Sequence, residues 1–271
     1  MGRACGKGRF GALFCLFAVA LFMPLGAHAQ EARPGAVVMH GKGGSPKSRT
    51  IEALASGLGA QGILVAALDM PWSGARSYDV DSAAAEQQVR EALERLRADG
   101  ANRLFVMGHS QGGMFALHMG GRVKLDGVVA IAPGGSADNR IALEKLADSL
   151  QAARRYVAEG KGQERQRLMD YEGSRGLHPV IAVPAAYVSW FDPEGAMSQN
   201  RAVRNVRPGT PVLFIVPKGD YPGLRRVKDG LFSALPTHPL NRLYEPESDH
   251  MGAPVAALDE IGRWIRQAAA R

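Results

Sequence analysis

The apolar run Leu104-Phe105-Val106-Met107 leads directly into Gly108-His109-Ser110-Gln111-Gly112 and then into Gly113-Met114-Phe115-Ala116-Leu117. That order reads as a buried strand, a sharp turn and a helix. A turn this tight lifts its serine clear of the sheet only if the flanking positions carry no side chain, which Gly108 and Gly112 satisfy. Ser110 is therefore a presented hydroxyl, and the chain around it must be built of strands and helices that meet at such turns.

The rest of the chain has that rhythm. Ala36-Val37-Val38-Met39 is a short apolar run of the kind buried in a parallel sheet, and it ends in His40-Gly41-Lys42-Gly43-Gly44. A helix with Ile51, Leu54 and Leu58 on one face follows, then a strand from Ile63 to Leu68, and a helix from about Asp81 to Arg97. After the Ser110 turn and its helix, Gly127 to Ala132 is another strand. Strands and helices alternating at this spacing predict right-handed crossovers and a parallel sheet covered on both sides. The rhythm breaks after Pro133 and resumes at Pro211 to Val216, too long a gap for an ordinary crossover. Within it, Asp138 to Glu159 is helical in pattern, Lys161 to Arg167 reads as a solvated helix face, and the remainder is rich in proline and aromatics. The insertion is expected to lie as a cap over the end of the sheet that carries Ser110. A helix near Pro222 to Leu235, a strand from Asn241 to Tyr244 and a final amphipathic helix with Val255, Leu258, Ile261 and Ile265 complete the chain.

Residues 1–29 read as a cleaved secretory leader. Arg3, Lys7 and Arg9 open it, Gly11 to Leu25 is apolar, and Ala27-His28-Ala29 is a small-x-small site before Gln30. The apolar run is shorter than the roughly 20 residues of a membrane span. The expected location is periplasmic or secreted, with no stable span after cleavage. Both cysteines, Cys5 and Cys15, leave with the leader, so the exported chain has neither a disulfide nor a thiol nucleophile. Loss of the three basic residues lowers the formal charge from +7 to +4. That excess is modest and dispersed, and nucleic-acid binding is not indicated.

A serine hydroxyl needs a base to take its proton, and the base needs a third group to orient it. Of the seven histidines, His250 stands directly after the last strand and before the last helix, at the carboxyl end of the sheet where ligands bind in open α/β folds. Asp220 follows the strand and turn Val216-Pro217-Lys218-Gly219 and is the leading acid; Asp192 is an alternative if the cap folds inward, while Asp249 and Asp229 are expected to point elsewhere. Acyl transfer also needs two N–H donors for the developing oxyanion. The backbone of Gln111 supplies one, and the loop from His40 to Gly44 can supply the second, with Lys42 as the leading choice. A phosphate-binding reading of that loop fails on spacing. His40 itself reads as a structural residue of the loop. No histidine and carboxylate cluster has metal-ligand spacing, so no metal is predicted. Tyr187, Trp190, Phe191 and Met114 could line an acyl site or pack the cap on the core.

Taken together, His40-Gly41, Gly108-His109-Ser110-Gln111-Gly112, Asp220 and His250, in the chain order Ser, Asp, His, resemble the α/β-hydrolase superfamily, over nearly all of the chain from Ala36 to the last helix. The resemblance implies an α/β-hydrolase fold across residues 30–271. Its sheet would be mostly parallel, of about six strands, with helices on both faces and a mainly helical cap inserted at about 134–209. It implies Ser110 as nucleophile, His250 as general base then acid, Asp220 as its orienter, and Lys42 and Gln111 as oxyanion donors, with no cofactor. Only a few residues separate Gln30 from the first parallel strand, so the usual leading antiparallel hairpin is expected to be absent. The expected activity is cleavage of an ester or related acyl bond in a small molecule through an acyl-enzyme. An acyltransferase or peptidase using the same residues, or a non-catalytic binding protein on the same scaffold, are the alternatives.

Overall fold

Six short strands that are buried or half-buried assemble side by side in the computed structural model, which describes residues 1–4, 6 and 31–271. The apolar run of the expected leader and its cleavage site before Gln30 lie outside the described residues. Residues 32–271 form one compact unit. Its strands are β1 (Pro34–Met39), β2 (Leu64–Leu68), β3 (Arg103–His109), β4 (Gly127–Ile131), then β7 (Val212–Ile215) and β8 (Arg242–Tyr244). They lie in the order β2-β1-β3-β4-β7-β8, and every pairing is parallel. Among the described residues, no antiparallel hairpin leads into this sheet. Position in the sheet explains the burial of each strand. β1 and β4 are buried at every residue, whereas the edge strands β2 and β8 are only partly covered.

Alternate residues of the central strands feed two cores. Val37, Val106, Val128 and Ala130 face one, beneath α2 (Ser82–Ala98) and α3 (Gln111–Arg122). Ala36, Phe105, Met107, Val129 and Ile131 face the other, against α1 (Arg49–Ala60) and the C-terminal pair α8 (Ala253–Ala256) and α9 (Leu258–Ala269). The single final helix expected from the sequence is broken at Ala257, and Val255 is exposed while Ile261 and Ile265 are buried. The chain turns from β1 outward to β2 and then crosses to β3, so the strand order reverses between β1 and β3. A crevice opens at such a reversal. The loop after β1 and the turn carrying Ser110 both stand there.

Between β4 and β7 the chain forms α4 (Arg140–Ala158), the antiparallel hairpin β5 (Gln166–Glu172) with β6 (Gly176–Ala182), α5 (Pro184–Phe191) and α6 (Gln199–Arg204). The insertion is mainly helical, but the basic stretch 161–167 is not a helix face. Residues 161–165 form turn and coil, and Gln166 opens β5. The strand signal is masked because Asp170, buried beside Leu168, breaks the apolar alternation, and because Pro179 sits in the partner strand. α5 docks through aromatic edges: Trp190 meets Trp72 and Phe115, each with ring centroids 5.4 Å away. Such pairs each contribute about 0.5–1.5 kcal/mol beyond burial, so Trp190 and the equally buried Tyr187 and Met114 belong to the core. α7 (Pro222–Ser233) then runs from β7 back to β8.

Candidate active site

At Ser110 the backbone adopts φ 53° and ψ −116°. A non-glycine residue in this region costs on the order of 1–3 kcal/mol and persists only where its surroundings hold it. Here its N–H donates to the Ile131 carbonyl (2.9 Å), and its own carbonyl accepts from Met114 (3.0 Å) and Gly134 (3.1 Å). The glycines are a steric requirement. A methyl group on Gly108 would stand 2.3 Å from the Gly112 carbonyl carbon, and one on Gly112 would stand 2.5 Å from the Met39 carbonyl oxygen. The turn thus wedges α3 directly against the ends of β1 and β3.

Asp220 and His250 are brought together by an extension of the sheet. Beyond β7 and β8, Lys218 N–H donates to Pro246 (3.0 Å) and Gly219 N–H to Ser248 (2.9 Å), and Gly219 pairs in parallel with Asp249. The next residue on each segment is Asp220 or His250. The His250 ring donates from Nδ1 to Asp220 Oδ1 at 2.7 Å, with both side chains buried. Asp220 Oδ1 also accepts the Tyr221 N–H (2.7 Å), while Oδ2 has no partner among the described residues. Among the described residues no other charged group pairs with the carboxylate, so its field falls on the imidazole. The ring is bracketed by Tyr221 at 4.6 Å and His109 at 4.8 Å between centroids. His109 Nε2–H donates to the His250 carbonyl at 2.8 Å, and burial and then the adjacent His250 lower its pKa to about 4. It is a neutral brace for the loop. Asp249 instead accepts the Gly252 N–H, Asp192 that of Glu194, and Asp229 pairs with Lys228.

His40 is wholly buried and supports the loop that follows it. Its Nδ1–H donates to Gly41 (2.8 Å), its Nε2 accepts the Met70 N–H (3.0 Å), and burial lowers its pKa. Among the described residues, neither the Lys42 nor the Gln111 backbone N–H donates to another group. Both residues line one cavity of about 480 Å³ together with Ser110 and His250. No hydrogen bond joins Ser110 to His250 among the described residues. Such contacts commonly tighten only with substrate in place.

The cavity lining has an apolar part and a polar part. α4 supplies Ile141, Leu143, Leu146 and Leu150, and α7 supplies Leu224 and Val227. Ser48, Thr50, Tyr171, Glu172 and Ser174 also line it. Of the four apolar candidates, Phe191 alone reaches the lining. The aliphatic wall lacks a sequence signal of its own, because a stripe lining a void has the same helical period as one packed on a core. Among the described residues, no three His, Cys, Asp or Glu side chains group closely enough to hold a metal ion. No helix among them is long and apolar enough to cross a membrane.

The fold has many solved counterparts at low identity. GrgF, an alpha/beta hydrolase from Penicillium sp. sh18, aligns with a TM-score of 0.67 at 17% identity, covering 89% of this chain and 92% of its own. A monoacylglycerol lipase from Paleococcus ferrophilus aligns with a TM-score of 0.60 at 20% identity, covering 88% and 96%. Est1E from Butyrivibrio proteoclasticus, solved with ferulic acid bound, aligns with a TM-score of 0.57 at 16% identity, covering 89% and 90%. No curated protein sequence matches the chain. Residues 36–270 match the family model described as the Alpha/beta hydrolase family, and the chain belongs to that family.

Proposed function

We propose that the protein is an exported serine hydrolase that cleaves uncharged esters of apolar acids through an acyl-enzyme. The observation that carries the reading is the buried 2.7 Å bond between His250 and Asp220 at the edge of the cavity that Ser110 faces. In this mechanism His250 takes the Ser110 proton as the hydroxyl attacks the ester carbonyl. Asp220 holds the ring with Nε2 free for that proton and stabilises the imidazolium. The Lys42 and Gln111 amides bind the oxyanion, the latter at the positive end of α3. His250 then gives the proton to the leaving alcohol, and water repeats the sequence on the acyl-enzyme.

The lining supports the substrate class. Its charged side chains, among the described residues, are Lys42 and Glu172. Lys42 is engaged by Asp170 at 2.6 Å, and Glu172 accepts the Ser174 hydroxyl at 2.8 Å. A charged acyl group would be desolvated against the α4 and α7 aliphatics, which offer it no partner. Purified protein is expected to hydrolyse neutral aliphatic esters in preference to those with a charged acyl chain. Ser110→Ala is expected to lower kcat by about 10⁶-fold and to abolish labelling by a fluorophosphonate probe. Undiminished labelling of that variant would overturn the nucleophile assignment.

A further inference from the structure

The loop Gly41-Lys42-Gly43-Gly44 has three glycines in four positions, and Gly43 takes φ +67°. Such a segment has little intrinsic stiffness. An oxyanion donor, by contrast, must be held within tenths of an ångström of its working position. On one flank the backbone is pinned: Gly43 N–H donates to Trp72 (2.8 Å), and the Trp72 indole donates to the His40 carbonyl (2.8 Å). On the other flank the single side chain in the four residues is that of Lys42.

That side chain is turned inward. Its ammonium donates to Asp170 Oδ1 (2.6 Å) and to the Tyr171 carbonyl (3.1 Å), and lies 5.5 Å from the centre of the Phe191 ring. The pair is well shielded, with side chains 11% and 4% exposed. Both Asp170 oxygens are engaged, because Oδ1 also accepts the Tyr171 N–H (2.7 Å) and Oδ2 accepts the Tyr78 hydroxyl (3.0 Å). Tyr78 is buried in the left-handed region (φ 56°) directly after Ser77 in the same region (φ 50°). A tyrosine holds that conformation only where its contacts enforce it.

We propose that Asp170 and Tyr78 are positioning residues for catalysis. They fix the Lys42 ammonium and thereby the Lys42 backbone N–H, so that the β5–β6 hairpin of the cap sets the geometry of oxyanion binding. A buried ion pair adds little net stability over apolar packing. Its use here is to register one segment against another across 128 positions of sequence. The inference rests on the hydrolase reading above.

Asp170→Asn, Lys42→Met and the double variant test it, with steady-state kinetics and the affinity of an alkyl boronic acid whose tetrahedral adduct occupies the oxyanion position. Each single variant is expected to lose about 10²-fold in kcat with KM nearly unchanged, and to lose boronate affinity in parallel. The double variant should be no worse than either single one. Singles that melt lower but keep wild-type kcat and boronate affinity would show a structural role only and overturn the proposal. So would losses that multiply in the double variant. If Asp170→Asn does not fold, Tyr78→Phe removes one bond and no charge, and about a fivefold loss in kcat is expected. Unchanged kcat and boronate affinity in that variant would likewise overturn it. A wild-type protein without activity or labelling would overturn the hydrolase reading and the positioning role with it. Active wild type with unaffected variants removes the positioning role alone.

Discussion

Burial, reinforced by the neighbouring His250, lowers the pKa of His109 from the ordinary 6.5 to about 4. The unfolded chain therefore takes up this proton first as pH falls through 6.5, while the folded protein takes it up near 4. Stability is unaffected above that window and is lost downward through it, by about 3 kcal/mol for this group. His109→Gln, which can still donate to the His250 carbonyl, is expected to flatten the decline. Urea midpoints of both proteins at pH 7 and pH 4.5 check this, and equal slopes would show that His109 does not titrate as described. At the same scale, glycine made the Ser110 turn readable. Methyl groups at Gly108 or Gly112 would meet backbone within 2.5 Å, so the pentapeptide admits few conformations. His109 was readable only as a turn residue, since its partner lies 141 positions away.

α6 is anchored by one carboxylate from the loop after β4. Asp138 Oδ1 accepts the Gln199 N–H (3.1 Å) and the Ser136 hydroxyl, and Oδ2 accepts the Asn200 N–H (3.2 Å) and the Ser198 hydroxyl (2.8 Å). Burial raises its pKa, but these donors outweigh it and the net shift is downward. Asp138→Ala is expected to cost about 1–2 kcal/mol, seen as a lower midpoint in denaturant. A change below about 0.5 kcal/mol would mean that water replaces the anchor. Elements on the sheet were legible from apolar runs and glycine punctuation. The β5–β6 hairpin was not, because its inward positions include a charged residue whose partner, Lys42, is remote in sequence. The aliphatic face of α4 was visible as a stripe, but periodicity carries no information on whether its neighbour is a core or a cavity.

For the whole molecule, chain order sufficed to place the segments of Ser110, Asp220 and His250 at the carboxyl end of the sheet, because parallel strands deliver all their following loops to the same side. The export proposal belongs to this scale as well. Protein recovered from the culture medium or periplasm is expected to start at Gln30 by N-terminal sequencing, and retention of residues 1–29 there would refute cleavage. The rungs added beyond β7 and β8 set a gauge for Asp220 and His250. Neighbouring strands stand about 4.8 Å apart, and the Gly219 and Asp249 pairing carries that spacing to the two residues that follow. Beyond Tyr221, whose N–H holds the carboxylate and whose ring flanks the imidazole, the segment from Pro222 to Pro239 takes no part in that spacing: it can lengthen, shorten or diverge while the carboxylate and imidazole keep their separation. One residue gained or lost between Val216 and Gly219 has the opposite effect, sliding Asp220 along the ladder and past the ring it orients.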